Sequence, residues 1–309
     1  MAVGIIVEYN PFHNGHLRQL NWVKEKFPND KIFLVMSGKF TQRGEINILP
    51  YYKRVIIAKK YGVSKVAKLN FEETVQAAHI FAKNAVLKLY NKFKIDKLVF
   101  GSESNNPNEM FKIANALKDN SEEYYKLIKN FQKKLKISFP KASSLALKEL
   151  TGESIEMPND ILGLEYIKTI VNNSLPIKVF TIERNIDFHS ETTKDNFASA
   201  SLIRKMLFER KNVKNFTPIK IEKITNKNYS IYKNFKKNIL KIHKEILSKI
   251  PVISEGMENL LIKKSGINNY DLFIDECTSK RYTSSRIKRA VAWISNKKIL
   301  RKIIKNKLK

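Results

Sequence analysis

The sequence predicts an α/β protein: a Rossmann-like doubly wound parallel sheet, followed by a mostly α-helical C-terminal domain. Two observations carry this. In the first half, short apolar runs at 3–7, 32–36, 65–69 and 97–100 read as buried strands, each followed by an amphipathic stretch, at 15–26, 51–61, 74–92 and 107–119. Strand then helix, repeated, means parallel pairing through right-handed crossovers, and a helix at 161–171 leads into a further strand at 177–182. After about Phe208 the strand signals fade, and Lys/Ile/Leu-rich periodic segments near 234–250, 256–264 and 283–309 predict helices. The expected division is 1–208 for the sheet domain and 209–309 for a basic helical one.

Composition narrows the class. The 309 residues are 43% hydrophobic, with 18 Phe and 12 Tyr, enough to fill a substantial core. No apolar run approaches the roughly 20 residues that span a bilayer, and the N-terminus has no secretory pattern. A soluble, cytoplasmic protein without a membrane or a protein partner is therefore expected. The single cysteine, Cys277, cannot form an internal disulfide, and no Cys/His cluster offers ligands for a structural metal. The net charge of +29 is unevenly spread: residues 201–309 hold 28 Lys and Arg against 8 acids, and 280–309 hold twelve and no acid. That asymmetry suits a domain that meets a polyanion, although a solvated basic tail has the same composition.

The octet Tyr9-Asn10-Pro11-Phe12-His13-Asn14-Gly15-His16 follows the first apolar run. A strand that breaks at Pro and Gly and restarts as a helix exposes backbone N–H groups at a positive helix end, where phosphate binds. Two imidazoles three residues apart on that first turn can both donate toward an anion. A lone His at a helix start is usually a cap or a surface residue; here Pro11, His13, Gly15 and His16 coincide where the first strand meets the first helix. The octet resembles the HIGH signature, in its PxHxGH form, of nucleotidyltransferases and class I synthetases, enzymes that attack the α-phosphate of ATP and release pyrophosphate.

Two further segments bear on this. Gly101 ends a predicted strand, where it makes either an ordinary turn or a close approach for adenine or ribose. Ser199-Ala200-Ser201-Leu202-Ile203-Arg204 places two hydroxyls and a guanidinium at a helix start. By itself the pattern is usually an N-cap; beside the octet it suits β- and γ-phosphates, as a similar segment does in HIGH-type nucleotidyltransferases.

Taken together with SGKFTQRGE at 37–45, FGSE at 100–103, PNDILGLEYIK at 158–168, FTIER at 180–184, ASASLIR at 198–204 and KRYTSSRIKR at 280–289, the octet and its flanks resemble the tRNA(Met) cytidine acetate ligases. The matches run in order over almost the whole chain. The resemblance implies an enzyme that activates acetate with ATP as acetyl-adenylate and acetylates N4 of the wobble cytidine of elongator tRNA(Met). It places ATP contacts on Val7-Glu8-Tyr9-Asn10-Pro11-Phe12-His13-Asn14-Gly15-His16-Leu17-Arg18-Gln19-Leu20, on Gly101, on Asn159 and on Arg184. Read on their own, Asn159 is a helix cap or a base contact, and Arg184 a strand-end surface residue or a bidentate phosphate ligand.

Catalysis is expected from His13, His16 and Arg204, with Ser199 and Ser201 on the phosphates and Mg²⁺ carried by the phosphates rather than by protein ligands. RNA contacts are expected at Lys39, Gln42 and Arg43 on the loop after the second strand, and at Arg281, Tyr282, Arg286, Lys288 and Arg289, gripping the RNA backbone. The chain departs from the family pattern at Leu49–Lys53, Lys68–Asn70 and Asn185–Ser190, loops that shape the acetate or tRNA pocket. Two rival readings are an adenylyltransferase with a small phosphorylated acceptor and a non-catalytic RNA-binding protein on a relict nucleotide fold.

Overall fold

A computed structural model describes residues 1–184, 193, 195–222, 224 and 226–307. Five strands, β1 (Ala2–Val7), β2 (Lys31–Ser37), β3 (Lys65–Leu69), β4 (Lys97–Ser102) and β5 (Lys178–Glu183), form one sheet in the order β3-β2-β1-β4-β5. Every neighbouring pair is parallel. The winding reverses between β1 and β4, so the crevice beyond their carboxyl ends is where a ligand fits. The strands agree with the sequence expectation to within one or two residues.

In the first half the helices are α1 (Asn14–Lys26), α2 (Tyr51–Lys60), α3 (Phe71–Thr74), α4 (Ala78–Phe93), α5 (Pro107–Asp119), α6 (Ser121–Leu135), α7 (Phe139–Thr151) and α8 (Pro158–Asn172). The expected helix at 74–92 starts later, as α4, and a separate short helix, α3, precedes it. Asn70 and Glu73 cap α3 reciprocally, and the chain breaks at Val75, whose side chain is fully buried and whose carbonyl accepts from the Trp293 indole at 2.8 Å. That tertiary bond overrides a continuous helical pattern. Helices α6 and α7, unassigned from sequence, pack on each other and on α5.

The remaining helices are α9 (Ala200–Phe208), α10 (Asn228–Ile239), α11 (Lys244–Leu247), α12 (Met257–Lys264), α13 (Tyr270–Cys277), α14 (Ser284–Ser295) and α15 (Lys297–Lys307). The expected segments 234–250 and 283–309 each split in two. At the second split the Asn296 side chain accepts from the Ile299 N–H and starts a new helix. Among the described residues, no helix is long and apolar enough to cross a membrane.

Apolar side chains gather on both faces of the sheet, one face under α4, α5 and α8 and the other under α1 and α2. A third core lies within α10–α15, and it takes in Val75, Phe40, Ile46 and Phe71 from the first half. The helical part thus docks on the loops that follow β2 and β3, at the carboxyl edge of the sheet.

Candidate active site

The chain leaves β1 through Tyr9, held at φ 51°, and enters α1 with His13 as its cap. His13 Nδ1 accepts from the Gly15 N–H at 3.1 Å, and His16 Nδ1 accepts from the His13 N–H at 3.3 Å. The two rings stack with centroids 3.8 Å apart. Because both Nδ1 atoms accept, each neutral ring carries its proton on Nε2. Burial, with help from Arg184 and Arg204, brings the His13 pKa down to about 3. Burial and the neighbouring His13 push His16 well below its ordinary value too. The pair therefore offers two neutral N–H donors, and the fixed positive charge beside it comes from arginine.

Arg204, on α9, donates to the Asn10 carbonyl at 2.8 Å. Thr217 Oγ1 donates to the Phe12 carbonyl at 2.7 Å, and the Asn14 amide donates to the carbonyls of Asn196 and Asn215. These bonds, between residues about 190 apart in sequence, fasten the α9 segment over the octet. Ser199 is the α9 cap, accepting from the Leu202 N–H at 3.1 Å, and its hydroxyl lies 3.0 Å from that of Ser201. The ordinary cap and the approach to the histidines coexist in one segment.

Opposite the octet, Glu103 and Asp160 clasp the β4–α5 loop to the start of α8. Glu103 accepts from the backbone N–H of Asp160 at 3.0 Å and from the Asn159 side chain. Asp160 accepts from the Ser102 hydroxyl and from the N–H groups of Glu103 and Ser104. Asn159 is not the helix cap, a position held by Met157; its amide oxygen accepts instead from Arg184 Nη1 at 3.4 Å. At Gly101 a Cβ would stand 3.4 Å from the Arg184 side chain, an ordinary separation, so the protein alone does not demand glycine there.

A cavity of about 630 Å³ connects these parts, lined by His13, His16, Gly101, Asn159, Arg184 and Arg204 among others. Val7 to Asn10, Gly15, Arg18, Gln19, Ser199 and Ser201 also reach it. Pro11, Phe12, Asn14, Leu17 and Leu20 do not: Phe12 and Leu20 are fully buried, Leu17 packs beside them, and Asn14 is spent on the bonds above. These five shape the loop from behind rather than facing the cavity.

Sequence reasoning missed Arg54. Fully buried, it donates to the carbonyls of Leu49, Glu8, Ser37 and Gly38 and so ties the ends of β1 and β2 together. Nothing in a Lys-Arg pair on an amphipathic helix signals such burial. Glu8, its carboxyl pushed up by burial, accepts from the Gln42 N–H at 2.6 Å and lines the same cavity.

The residues expected on the RNA separate into two groups. Gln42, Arg43 and Arg289 line the cavity. The others are engaged within the protein or lie apart: Lys288 pairs with Glu45 at 2.6 Å, Arg286 with Glu255 at 2.8 Å, and the Tyr282 hydroxyl donates to the Glu255 carbonyl. Arg281 is half-exposed, 3.9 Å from Glu255, and Lys39 lies over the Phe40 ring. Arg281, Tyr282 and Arg286 thus gather around Glu255. The departing loop at 185–190 lies outside the described residues. Among the described residues, no group of three or more His, Cys, Asp or Glu side chains is placed to hold a metal ion.

This arrangement has relatives. The HIGH Nucleotidyl Transferase family model matches residues 1–306. A tRNA(Met) cytidine acetate ligase of Mycoplasma mobile is 49% identical across 95% of this chain and 98% of its own length. Its counterpart in Mycoplasmopsis synoviae is 53% identical, across 94% of both. Among solved structures, apo Thermotoga maritima TmcAL superposes with a TM-score of 0.85 at 31% identity, covering 97% of this chain and 77% of that one. A form of the same protein bound with alpha-thio ATP gives 0.82 at 30% identity, with the same coverage. With its histidine pair at the switch point of the sheet and similarity along nearly its whole length, the chain belongs to the HIGH nucleotidyl transferase family and, within it, to the tRNA(Met) cytidine acetate ligases.

Proposed function

We propose that the protein is an ATP-dependent ligase that forms acetyl-adenylate and acetylates N4 of the wobble cytidine of elongator tRNA(Met), in the cytoplasm where both substrates reside. The observation that carries this reading is the stacked, neutral pair His13 and His16 beside Arg184 and Arg204 in one cavity at the switch point of the sheet. An acetate oxygen attacks the α-phosphorus of ATP, the bond to the bridging oxygen breaks, and pyrophosphate leaves. The Nε2–H donors and the Arg204 guanidinium stabilise charge gathering on the phosphates, and no protein nucleophile takes part. Cytosine N4 then attacks the acetyl carbonyl, the bond from acyl carbon to phosphate oxygen breaks, AMP departs and N4 gives up a proton.

We assign ATP to the cavity-lining residues of the octet together with Gly101, Asn159, Arg184, Ser199 and Ser201, and RNA binding to residues 209–309 and the β2–α2 loop. Among the described residues no group of three or more His, Cys, Asp or Glu side chains is placed to hold a metal ion, and we assign Mg²⁺ to the phosphates of ATP.

Acetate-dependent ATP–pyrophosphate exchange tests the assignment. His13→Asn keeps a side-chain acceptor for the Gly15 N–H while removing the Nε2 donor. Combined with His16→Asn, it is expected to lower exchange by roughly 100-fold or more, the loss typical of one preorganised donor. Wild-type exchange in the double variant would sink the reading.

A further inference from the structure

The cavity continues beyond the nucleotide-facing residues, between the start of α4, the start of α7, and α14, where His79, Phe139, Ser144, Tyr166 and Arg289 line it. The His79 and Phe139 rings lie 5.3 Å apart and form an aromatic wall. Arg289 is 8% exposed, and among the described residues its guanidinium has no hydrogen-bond or ion-pair partner. After burial, what acts on it most strongly is like charge, from Arg286 and Arg43, and its pKa falls to about 10. A buried, unpartnered guanidinium is costly and is kept only where something else satisfies it.

The cations that act on His13 are Arg184 and Arg204. Arg289 lines the same cavity as His79, whose pKa is held below its ordinary value by burial, against the pull of Glu165 and with help from Lys168 and Arg289.

We propose that this end of the cavity receives the acceptor base, extruded from the RNA as a single pyrimidine, with Arg289 donating to O2 and N3 of cytosine and Phe139 and His79 against its face. This rests on the reading of the chain as a cytidine acetate ligase. The guanidinium fork matches two adjacent acceptors, which cytosine presents at O2 and N3. Uracil carries a hydrogen on N3 and breaks the match. Engaging that edge leaves N4 the nucleophilic freedom the reaction needs. Aromatic walls suit an unstacked base in single-stranded RNA, whereas a backbone phosphate stays in water. Arg289 thus reads the base instead of gripping the backbone, and it sets the preference for cytidine.

The test uses the full-length protein, unmodified tRNA(Met), and the same tRNA with uridine at the wobble position. Arg289→Gln and Arg289→Lys are expected to reduce kcat/KM for acetylation by roughly 10- to 100-fold, the discrimination of one bidentate base contact. In both variants acetate-dependent ATP–pyrophosphate exchange persists, and binding of wild-type tRNA over the uridine form weakens toward parity. Phe139→Ala, which leaves α14 untouched, gives the same split between exchange and acetylation. Loss of exchange in the Arg289 variants would place Arg289 on ATP, and overturn the proposal. A uniform loss of affinity for both RNAs with a shallower salt dependence would place it on a phosphate, and overturn it equally. If the wild-type protein shows no acetate-dependent exchange, it is the ligase reading that fails.

Discussion

At the scale of single residues, the octet does two jobs with the same atoms. His13 and His16 spend their Nδ1 acceptors on backbone N–H groups at the start of α1 and keep Nε2–H for a ligand. A protonated ring would lose the acceptor and break the cap, so the fold itself favours neutrality, as burial does. The consequence for stability has a definite sign. The folded His13 pKa, about 3, lies below the ordinary 6.5, so between these values the unfolded chain binds a proton that the folded chain does not. Stability is therefore complete above about pH 6.5 and falls as pH drops through that value toward 3. At pH 5 the His13 contribution to this loss amounts to about 2 kcal/mol. Urea unfolding of wild type and His13→Asn at pH 8 and pH 5 measures it: the gap between the two proteins shifts by that amount in favour of the variant at pH 5. A gap that does not move with pH means that His13 titrates normally in the folded protein.

At the scale of elements, the decisive junction is between the β2–α2 loop and α14. Gly44 sits at φ 89°, and a Cβ there would come within 2.9 Å of the Arg289 backbone and 2.8 Å of the Lys288 carbonyl. Lys288 closes the same junction through Glu45, whose carboxyl is raised by burial but lowered further by that lysine, for a net fall. Gly44→Ala is expected to force the loop away from α14, costing about 1–3 kcal/mol by overpacking and by strain at positive φ. Because Arg43 and Arg289 line the cavity from the two sides of this junction, acetylation falls more than exchange does. Chemical denaturation together with the two activities checks both halves, and unchanged acetylation would separate the loop from the acceptor site. Neither side of this junction is visible in sequence as a partner of the other, since they lie about 245 residues apart and no periodic pattern links them. The strands, the octet and the SASLIR helix are legible because each is a local signal: an apolar run, a turn-to-helix break, a capped start. The break at Val75 and the burial of Arg54 are not, because a Trp293 indole in the one case and four carbonyls in the other are brought there only by the fold. The row Arg281–Arg289 is legible as basic, yet its pairing with Glu255 and Glu45 depends on acids distant in sequence.

At the scale of the whole molecule, part of the excess positive charge of the C-terminal third is engaged within the protein. With Arg286 and Lys288 engaged internally, α15 becomes the more open cationic surface. Its Ile299 and Leu300 are buried against the helical core, while Lys297, Lys298, Arg301, Lys302 and Lys305 line one shallow depression on its outer side. Only Lys302 has an acidic partner there among the described residues, Glu72, at 3.0 Å. None of the five lines the active cavity. Changing Lys297, Lys298, Arg301 and Lys305 to Gln should therefore weaken tRNA binding without touching acetate-dependent exchange, which needs no RNA. For each phosphate that the variant leaves unneutralised, the plot of log affinity against log salt should become shallower by roughly 0.7–0.9. Titrations of tRNA(Met) at several salt concentrations separate this from the base-reading variants, whose slope is expected to stay at the wild-type value. If the quadruple variant keeps the wild-type slope, the charge on α15 serves solubility, and the RNA must be held by the cavity rim alone.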